Sequence, residues 1–191
     1  ILFHCAGIIH PSNVNRFYDI NVDGTKNLFL WAIKNGLKRV IVISSNSPCG
    51  TNPTNDDFFD EETEYNPYFN YGKSKMQMEM LVKNHVNKGD IEAVIIRPPW
   101  FYGPNQPKRQ IRFYKMIREG KVPVVGDGLN KRSMACTINI SQAMIRAAIT
   151  KEANGNIYWI SDENSYSFLT IIHTIRKVMK NEFGFNCSDN T

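Results

Sequence analysis

The sequence predicts an α/β fold built on a doubly wound parallel sheet. Three short apolar runs carry this prediction: Ile1–Cys5, Arg39–Ser44 and Ile91–Ile96. None of them alternates apolar with polar residues, as a strand with one solvated face would, so each is expected to be buried on both faces. Segments with helical periodicity separate the runs, and strands that alternate with helices are typical of a parallel sheet covered by helices.

Two helices are predicted between these strands from the spacing of apolar residues and from the residues that end each helix. Apolar residues recur at near-helical spacing from Phe17 to Ala32, and Asn35-Gly36 supplies a helix stop. After a polar loop, a second helix is predicted to run from Tyr71 to about Lys88 and to end at Gly89. Its expected core-facing residues are Met76, Met80, Leu81 and His85.

A more mixed segment begins in a Pro- and Gly-rich stretch, Arg97–Pro107. We expect it to form a smaller α/β lobe and to contribute the remaining sheet strands, which divides the chain into residues 1–98 and 99–191. Its predicted elements are a basic helix at 108–119, a strand at 122–125, a turn at 126–128, a helix at 141–149, a strand at 157–160 and a helix at 168–181.

Composition excludes several classes of protein. The 191 residues suffice for a sizeable core, and no apolar run approaches the ~20 residues that cross a bilayer, so no membrane partner is expected. Cys5, Cys49, Cys136 and Cys187 lie far apart, with no Cys-x-x-Cys and no metal-ligand spacing. Together with the lack of a signal peptide, this pattern predicts reduced thiols, a cytoplasmic location and no metal.

Much of the net charge of +5 is concentrated in one stretch of the chain. A helical array of this kind is either a solvated face or a patch that receives a phosphate-bearing ligand. No RNA- or DNA-binding motif accompanies the charge, so nucleic acid is not an expected partner. The basic residues are Lys108, Arg109, Arg112, Lys115, Arg118 and Lys121.

Tyr71 and Lys75 are the most informative pair in the chain. Side chains four residues apart on a helix lie one turn apart on the same face. An adjacent ammonium favours ionisation of the phenol, whose pKa is ordinarily about 10. The pair is therefore suited to moving a proton on or off a substrate hydroxyl or carbonyl.

Small or polar residues follow each predicted strand: Ala6-Gly7, Ser44-Ser45 and Arg97-Pro98. In an open parallel sheet, ligands bind beyond the carboxyl ends of the strands. We therefore expect these residues to line one crevice, where a Ser hydroxyl could polarise the carbonyl that Tyr71 protonates.

The motifs occur in a fixed order along most of the chain. They are His4-Cys5-Ala6-Gly7, Asn21-Val22-Asp23-Gly24-Thr25, Val42-Ile43-Ser44-Ser45 with Gly50, Tyr71-x-x-x-Lys75, Arg97-Pro98-Pro99-Trp100-Phe101-Tyr102-Gly103-Pro104 and Gly126-Asp127-Gly128-x-x-x-Arg132. This ordered set resembles the extended short-chain dehydrogenase/reductases, the NAD(P)-dependent epimerase/dehydratase family. The resemblance implies a partial Rossmann-like fold, in which residues 1–98 form the C-terminal part of the dinucleotide-binding domain and carry the catalytic residues.

The resemblance also implies roles for the reacting groups. Tyr71 would be the catalytic acid/base, and Lys75 would bind the nicotinamide ribose while lowering the pKa of that phenol. Ser45, which lies five residues before Gly50, would hydrogen-bond the reacting oxygen.

The remaining cofactor contacts, with NAD or NADP, are implied in the same way. Ala6 and Gly7 would line the adenosine side, Pro98 would lie against the nicotinamide end, and Ser44 would border the cofactor. Asn21 matches the residue that helps to hold the geometry of the active-site helix; as an alternative, it only caps a helix.

On the substrate side, Arg132 matches the residue that pairs with the diphosphate of a nucleotide sugar, a role suited to a guanidinium. Trp100 would contact the same small-molecule substrate. Family members often form homodimers through the long helices that flank the central strands, so a homodimer is expected.

Two departures from the family pattern bear on the expected cofactor binding and on the expected reaction. No Gly-x-Gly-x-x-Gly or Gly-x-x-Gly-x-x-Gly motif occurs, and the residue that distinguishes NAD from NADP is absent with it. Since the chain also begins without Met in a buried-strand pattern, we expect a piece of a longer protein. Asn46-Ser47 stands where sugar 4,6-dehydratases of the family carry Asp-Glu, which disfavours dehydration.

The predicted function is thus an epimerase or oxidoreductase that transfers a hydride at a secondary alcohol, with a nucleotide sugar as the preferred substrate. A hydroxysteroid- or flavonoid-type dehydrogenase is the alternative enzyme, since Trp100 and Phe101 would suit an apolar pocket. A catalytically silent family member that serves in binding is the alternative outside catalysis.

Overall fold

The predicted parallel sheet is present in the computed structural model, which describes residues 1–54 and 56–188. Its strands are β1 (Leu2–His4), β2 (Arg39–Ile43), β3 (Glu92–Arg97) and, much later in the chain, β6 (Ile157–Trp159). They stand in the order β1-β2-β3-β6, and every neighbouring pair is parallel. All three apolar runs identified in the sequence are therefore adjacent strands of one sheet.

Helical segments connect these strands as the periodicity indicates. The first connection is α1 (Asn15–Tyr18), a π-helical turn (Asp19–Asp23) and α2 (Gly24–Lys34); the second contains a 3₁₀ turn (Ser47–Cys49) and α3 (Phe69–Asn87). Both predicted stops are confirmed, because Gly36 and Gly89 take the left-handed φ values of +66° and +72° just past the helix ends.

The chain forms two compact units. The first comprises Ile1–Pro99 and Ile138–Ile160, and the second comprises Trp100–Thr137 and the residues from Ser161 onward. Residues 138–160 thus belong with the parallel sheet, to which they contribute β6 and most of a helix, α5 (Thr137–Ile149).

The second unit has a small mixed sheet and two helices. Its strands β4 (Trp100–Tyr102), β5 (Lys131–Cys136) and β7 (Ser165–Ser167) stand in the order β4-β5-β7, with the first pair parallel and the second antiparallel. The helices are α4 (Lys108–Glu119) and α6 (Phe168–Phe183), which pack around the buried Ile117, Val122 and Ile172.

The core of the first unit lies between β2, β3 and the helices α2 and α3. Its fully buried members include Phe29 and Ala32 of α2 and Val40 and Val42 of β2. From α3 it receives Met78 and Val82, together with Ala93, Ile95 and Ile157 from the sheet.

One prediction about the α3 core face is wrong. Met80 is 53% exposed, while Met78 and Val82 are buried. Leu81 does pack against the core, and His85 stacks on Phe29 at 5.6 Å. The residues that α3 buries are Gly72, Ser74, Lys75, Met78, Glu79 and Val82. Because several of them are polar, the apolar periodicity of the helix does not mark its buried face.

The predicted strand at 122–125 is also wrong, and three short strands were missed. Val122–Val125 forms no strand, since Pro123 has no N–H to donate to a ladder and the surrounding residues pack against α4 and α6 instead. The missed strands β4 and β7 are only three residues long, and β5 begins with the polar Lys131-Arg132-Ser133.

A buried arginine fastens the beginning of β2 to the end of α5. The Arg39 guanidinium donates to the carbonyl oxygens of Ala147 at 3.0 Å and Thr150 at 2.5 Å. It also pairs with Glu92 on β3 at 2.7 Å. The last carbonyls of a helix have no partner within the helix, so this cation satisfies the Ala147 carbonyl. The Thr150 carbonyl, just past the helix, also accepts from the N–H of Ala153 at 3.3 Å.

None of the cysteines is in a disulfide bond. Across residues 1–54 and 56–188, no helix is long and apolar enough to cross a membrane. The same residues contain no cluster of three His, Cys, Asp or Glu side chains that could hold a metal ion.

Candidate active site

The predicted crevice residues lie at the carboxyl edge of the parallel sheet. Ala6 and Gly7 follow β1, Ser44 and Ser45 follow β2, and Pro98 follows β3. The parallel register places Phe3 beside Ile41 and Val42 beside Ile95, so these strands end at one edge. Ala6 and Gly7 are exposed there, whereas the two serines and Pro98 are buried.

Lys75 reaches this edge from α3. It is only 4% exposed, and its Nζ donates to the carbonyl of Ile43 at 2.8 Å. A second contact joins Nζ to the sulfur of Met78 at 3.3 Å. Burial lowers the pKa of Lys75 to about 8, an effect that the negative charge of Glu79 partly opposes. The ammonium is thus fixed at the end of β2, and its pKa lies much closer to neutral pH than that of an ordinary lysine.

Gly7 brings the end of β1 close to this ammonium. A Cβ at Gly7 would lie 3.3 Å from Oδ1 of Asn21 and 4.0 Å from Nζ of Lys75. The backbone of β1 therefore approaches Lys75 at a point where any side chain would narrow the space beside it.

Asn21 connects three segments around that point. Its side-chain amide accepts from the N–H of Ile8 at 2.9 Å and donates to the Ile8 carbonyl at 3.1 Å and to Oγ of Ser74 at 3.0 Å. It lies in the π-helical turn and is 1% exposed. Asn21 therefore ties the loop after β1 to α3, and no side-chain cap of a helix is formed by it.

Ser45 lies in a polar cluster with the two residues that follow it. Its hydroxyl is 3.2 Å from Oγ of Ser47 and 3.3 Å from Oδ1 of Asn46. The neighbouring Ser44 donates its backbone N–H to Ile96 at 2.7 Å, but its buried Oγ has no hydrogen-bond partner among the described residues. This unsatisfied hydroxyl is available to a ligand at the sheet edge.

Tyr71 lies on α3 one turn before Lys75, is half-buried, and its ring centroid is 6.1 Å from that of Phe17. The adjacent Gly72 packs directly against the 3₁₀ turn that follows Ser45. A Cβ at Gly72 would be 2.6 Å from the carbonyl oxygen of Ser47. The glycine therefore allows the helix that carries Tyr71 to touch, backbone to backbone, the turn that begins two residues after Ser45.

His4 and Cys5 complete the β1 side. His4 is buried and its Nε2 lies 2.8 Å from Oγ1 of Thr25; burial first, and then the charge of Lys75, lower its pKa. Burial raises the pKa of the Cys5 thiol, and Lys75 partly opposes this. A neutral His4 bonded to Thr25 agrees with a packing role.

Arg132 and Trp100, predicted to contact substrate, lie together in the second unit. The Arg132 guanidinium carbon is 5.7 Å from the ring centroids of both Trp100 and Phe168. Phe113 extends this aromatic group, 5.4 Å from Trp100 and 6.1 Å from Phe168. In the part of the chain that the structure describes, Arg132 forms no ion pair with a carboxylate; it is exposed, and its guanidinium lies near the two rings.

The basic stretch forms an exposed face of α4, with Lys108, Arg109, Arg112 and Lys115 all exposed. Lys115 and Lys121 lie 3.9 and 3.2 Å from the carboxylate of Glu119. Both readings of this stretch, a solvated face and a phosphate-binding patch, stay open.

Ser47, Ser74 and Glu79 are site residues that sequence reasoning missed. In the sequence, Ser47 is informative only as part of Asn46-Ser47, which stands where sugar 4,6-dehydratases carry Asp-Glu. In the structure, its hydroxyl is within hydrogen-bond distance of the Ser45 hydroxyl. Ser74 joins Asn21 to the carbonyl of Tyr71, which it reaches at 2.8 Å. Its position directly before Lys75 was the available signal. Glu79 continues the four-residue spacing of Tyr71 and Lys75, a signal that was also present.

The residues of the first unit fit one end of a nicotinamide dinucleotide. A buried ammonium, an unsatisfied hydroxyl at Ser44 and the open backbone at Gly7 suit a ribose and its ring. The 191 residues contain no glycine-rich loop to bind the pyrophosphate. The cavity of about 430 Å³ between residues 61–65, Lys83 and Arg97 does not supply it, because its lining includes three glutamates.

Sequence and structure thus define a dinucleotide-binding type of parallel sheet, with Ser45 and Lys75 at its carboxyl edge and Tyr71 one helical turn before Lys75. Residues 1–161 match the model of the NAD dependent epimerase/dehydratase family, and the chain belongs to this family. An uncharacterised protein of Sinorhizobium fredii, y4nL, is 48% identical over all 191 residues, which cover 54% of its own length.

Two further proteins illustrate the relationship. The N-acetyl-alpha-D-glucosaminyl-diphospho-ditrans,octacis-undecaprenol 4-epimerase of Escherichia coli O157:H7 is 37% identical over 68% of this chain and 39% of its own. The crystal structure of UDP-glucuronic acid 4-epimerase from Bacillus cereus in complex with NAD has a TM-score of 0.83 at 23% identity, over 99% of this chain and 61% of that one. The chain therefore spans about half the length of its relatives.

Proposed function

We propose that the complete protein is an NAD(P)-dependent epimerase or oxidoreductase that acts on a secondary alcohol of a sugar diphosphate. The observation that carries the proposal is the position of Lys75. Its ammonium is buried at the carboxyl edge of the sheet, beside Gly7 and one helical turn after Tyr71. A scaffold has no need for an ammonium desolvated at that place.

In the proposed mechanism, Tyr71 accepts the proton of the substrate hydroxyl as the carbon–oxygen bond becomes a carbonyl. Lys75, Ser44 and Gly7 would hold the nicotinamide end of the cofactor, which would supply the hydride acceptor for that carbon. Lys75 favours the ionised phenol, and Ser45 donates a hydrogen bond to the reacting oxygen. Tyr71 then returns the proton when the carbonyl is reduced again. Epimerisation results if reduction occurs on the opposite face of the sugar, and dehydrogenation results if the ketone leaves.

The substrate proposal is a hexose attached to a diphosphate. Arg132 supports it, because a guanidinium held between two rings and without a carboxylate partner among the described residues is suited to bidentate phosphate binding. The relative that acts as a diphospho-undecaprenol 4-epimerase shares the sugar diphosphate group with nucleotide sugars. A nucleotide sugar remains our first choice, and the lipid-linked sugar is the second arm of the test.

Tyr71→Phe in the complete protein tests the catalytic role. The substitution keeps the ring and removes the ionisable proton, so kcat should fall by about 10²- to 10⁴-fold in epimerisation of UDP-N-acetylglucosamine or its undecaprenyl diphosphate counterpart. Tyr68→Phe is the matched control, since Tyr68 is exposed at the start of the same helix and should retain full turnover. Unchanged turnover in Tyr71→Phe would contradict the mechanism.

A hydroxysteroid-type dehydrogenase is the second candidate, favoured by the aromatic group of Trp100, Phe113 and Phe168. The two candidates differ in what Arg132→Ala does. Loss of turnover on sugar diphosphates supports the first, whereas unimpaired oxidation of a sterol alcohol, with no turnover of any sugar diphosphate, supports the second.

A further inference from the structure

An acidic residue, Glu79, continues the face of α3 that carries Tyr71 and Lys75. Glu79 lies one helical turn beyond Lys75 and is fully buried. Arg97, at the end of β3 and 1% exposed, donates to both of its carboxylate oxygens, from Nε at 3.1 Å and from Nη2 at 2.7 Å. The paired charges remove the largest cost of burying Glu79 in its ionised form.

Neighbouring groups hold this ion pair in a single arrangement. The hydroxyl of Tyr65 donates to the same carboxylate at 2.9 Å. The Arg97 guanidinium lies over the rings of Tyr65 and Trp159, 5.4 and 5.3 Å from their centroids. Glu79 therefore accepts three hydrogen bonds and keeps a negative charge at a fixed place.

Lys75 has no carboxylate of its own within ion-pair distance among the described residues. Its hydrogen bonds go to the neutral Ile43 carbonyl and the Met78 sulfur. His4 and Cys5 face it from β1, and Glu79 faces it from its own helix. Of these groups, only Glu79 is a carboxylate, and it is ion-paired with Arg97.

We propose that Glu79, held by Arg97 and Tyr65, is a positioning residue that keeps the buried Lys75 ammonium protonated and in place. Its influence on Tyr71 passes through Lys75. The effect on turnover rests on the function proposed above, whereas the effect on Lys75 itself does not. Burial alone drives Lys75 toward its neutral form, in which it would neither bind a ribose hydroxyl as a cation nor favour the ionised phenol.

The direct test follows the titration of Lys75 by NMR in the 191-residue chain with ¹³Cε-labelled lysine. Lys75→Met identifies the signal by its disappearance. Glu79→Gln should lower the titration midpoint of Lys75 by about one unit or more, because two charges one helical turn apart interact strongly at a low effective dielectric. Glu79→Asp retains the charge and should restore most of the midpoint.

Glu92→Gln is the matched control. Like Glu79→Gln, it replaces a carboxylate by an amide, and it removes the ion-pair partner of the buried Arg39 in the same unit. Any effect that comes only from losing such an ion pair should therefore appear in both variants. The Lys75 midpoint should be unchanged in this control. If Glu79→Gln does not fold, the double variant Glu79→Gln/Arg97→Met removes the pair without leaving a buried charge and should lower the midpoint as well.

A Lys75 midpoint in Glu79→Gln within about 0.3 unit of the parent overturns the proposal. In the complete protein, the alkaline limb of kcat should move to lower pH by the same amount as the NMR midpoint. A lowered midpoint without any turnover supports the positioning role and counts against the proposed function.

Discussion

Gly72→Ala is the sharpest structural test of how the site is assembled. The backbone at Gly72 is helical, a conformation that alanine adopts without strain. Helix propensity alone should therefore raise the free energy of unfolding by about 1 kcal/mol when alanine replaces glycine. The added Cβ, however, would lie 2.6 Å from the carbonyl oxygen of Ser47 and 3.3 Å from Cβ of Pro67. Neither atom is the end of a flexible side chain, so the helix or the turn must move.

Overpacking of this kind costs about 1–3 kcal/mol, and we expect the upper end because the contact is with backbone. After the gain in propensity, Gly72→Ala should lower the free energy of unfolding by about 2 kcal/mol. Gly24→Ala is the control: it is also helical, and its nearest atom, the Asp19 carbonyl oxygen, would be 3.7 Å away. This variant should be neutral or up to about 1 kcal/mol more stable.

Urea unfolding of the two variants, followed by far-ultraviolet circular dichroism, measures the difference directly. In the complete protein, Gly72→Ala should also reduce kcat by tenfold or more, because Tyr71 would be displaced from the 3₁₀ turn at Ser47–Cys49 and from Ser45 just before it. A Gly72→Ala variant as stable as Gly24→Ala would refute the backbone contact between α3 and the turn.

Three further predictions concern charge and ligands. Because burial holds the pKa of Lys75 near 8 instead of 10.5, the unfolded chain binds this proton more tightly, and Lys75 should add roughly 3 kcal/mol of stability as pH rises between those values. The raised pKa values of Cys5, Cys49 and Tyr65 act in the opposite direction, so the Lys75 contribution is the difference between the parent chain and Lys75→Met in urea titrations from pH 7.5 to 10.5; an equal slope in both would exclude it. Arg132→Ala in the complete protein should raise KM for a sugar diphosphate by about tenfold or more, whereas an unchanged KM would remove Arg132 from the substrate site. The 191-residue chain, without a glycine-rich loop, should bind NAD(P) more weakly than micromolar, and calorimetry showing micromolar affinity would prove this wrong.

Much of the first unit could be predicted because its signals are local. The apolar runs at β2 and β3 are buried on both faces, and Gly36 and Gly89 mark helix ends through a backbone conformation that favours glycine. The same expectation is wrong for β1, where Phe3 is 47% exposed. Strand order and parallel direction then follow from the alternation of strands and helices.

The second unit was harder to predict because its short strands are stabilised by partners distant in the sequence. Tyr102 pairs with Cys136, and Arg132 pairs with Tyr166, so neither β4 nor β5 carries its own pattern. The buried face of α3 was misjudged for a related reason. Glu79 of α3 is buried because it pairs with Arg97 on β3, and the hydrophobic pattern of the helix gives no information about that partner.

The site was predictable as a set of residue types and less so as an arrangement. Asn21 was assigned either to helix capping or to the geometry of the active-site helix, and its bonds to Ile8 and Ser74 connect it to that helix. The roles of Ser45, Tyr71 and Lys75 stay predictions until variants are measured. A homodimer and a cytoplasmic location likewise stay predictions.

The hydrogen bonds that join Arg39 to the end of α5 have a consequence for how the chain folds during synthesis. The carbonyl groups that receive this guanidinium lie more than a hundred residues later in the chain, at Ala147 and Thr150. Until those residues leave the ribosome, the cation at the start of β2 cannot be buried with its partners. The first unit should therefore complete its folding late, and ribosome-bound chains that end before residue 147 should remain sensitive to proteases.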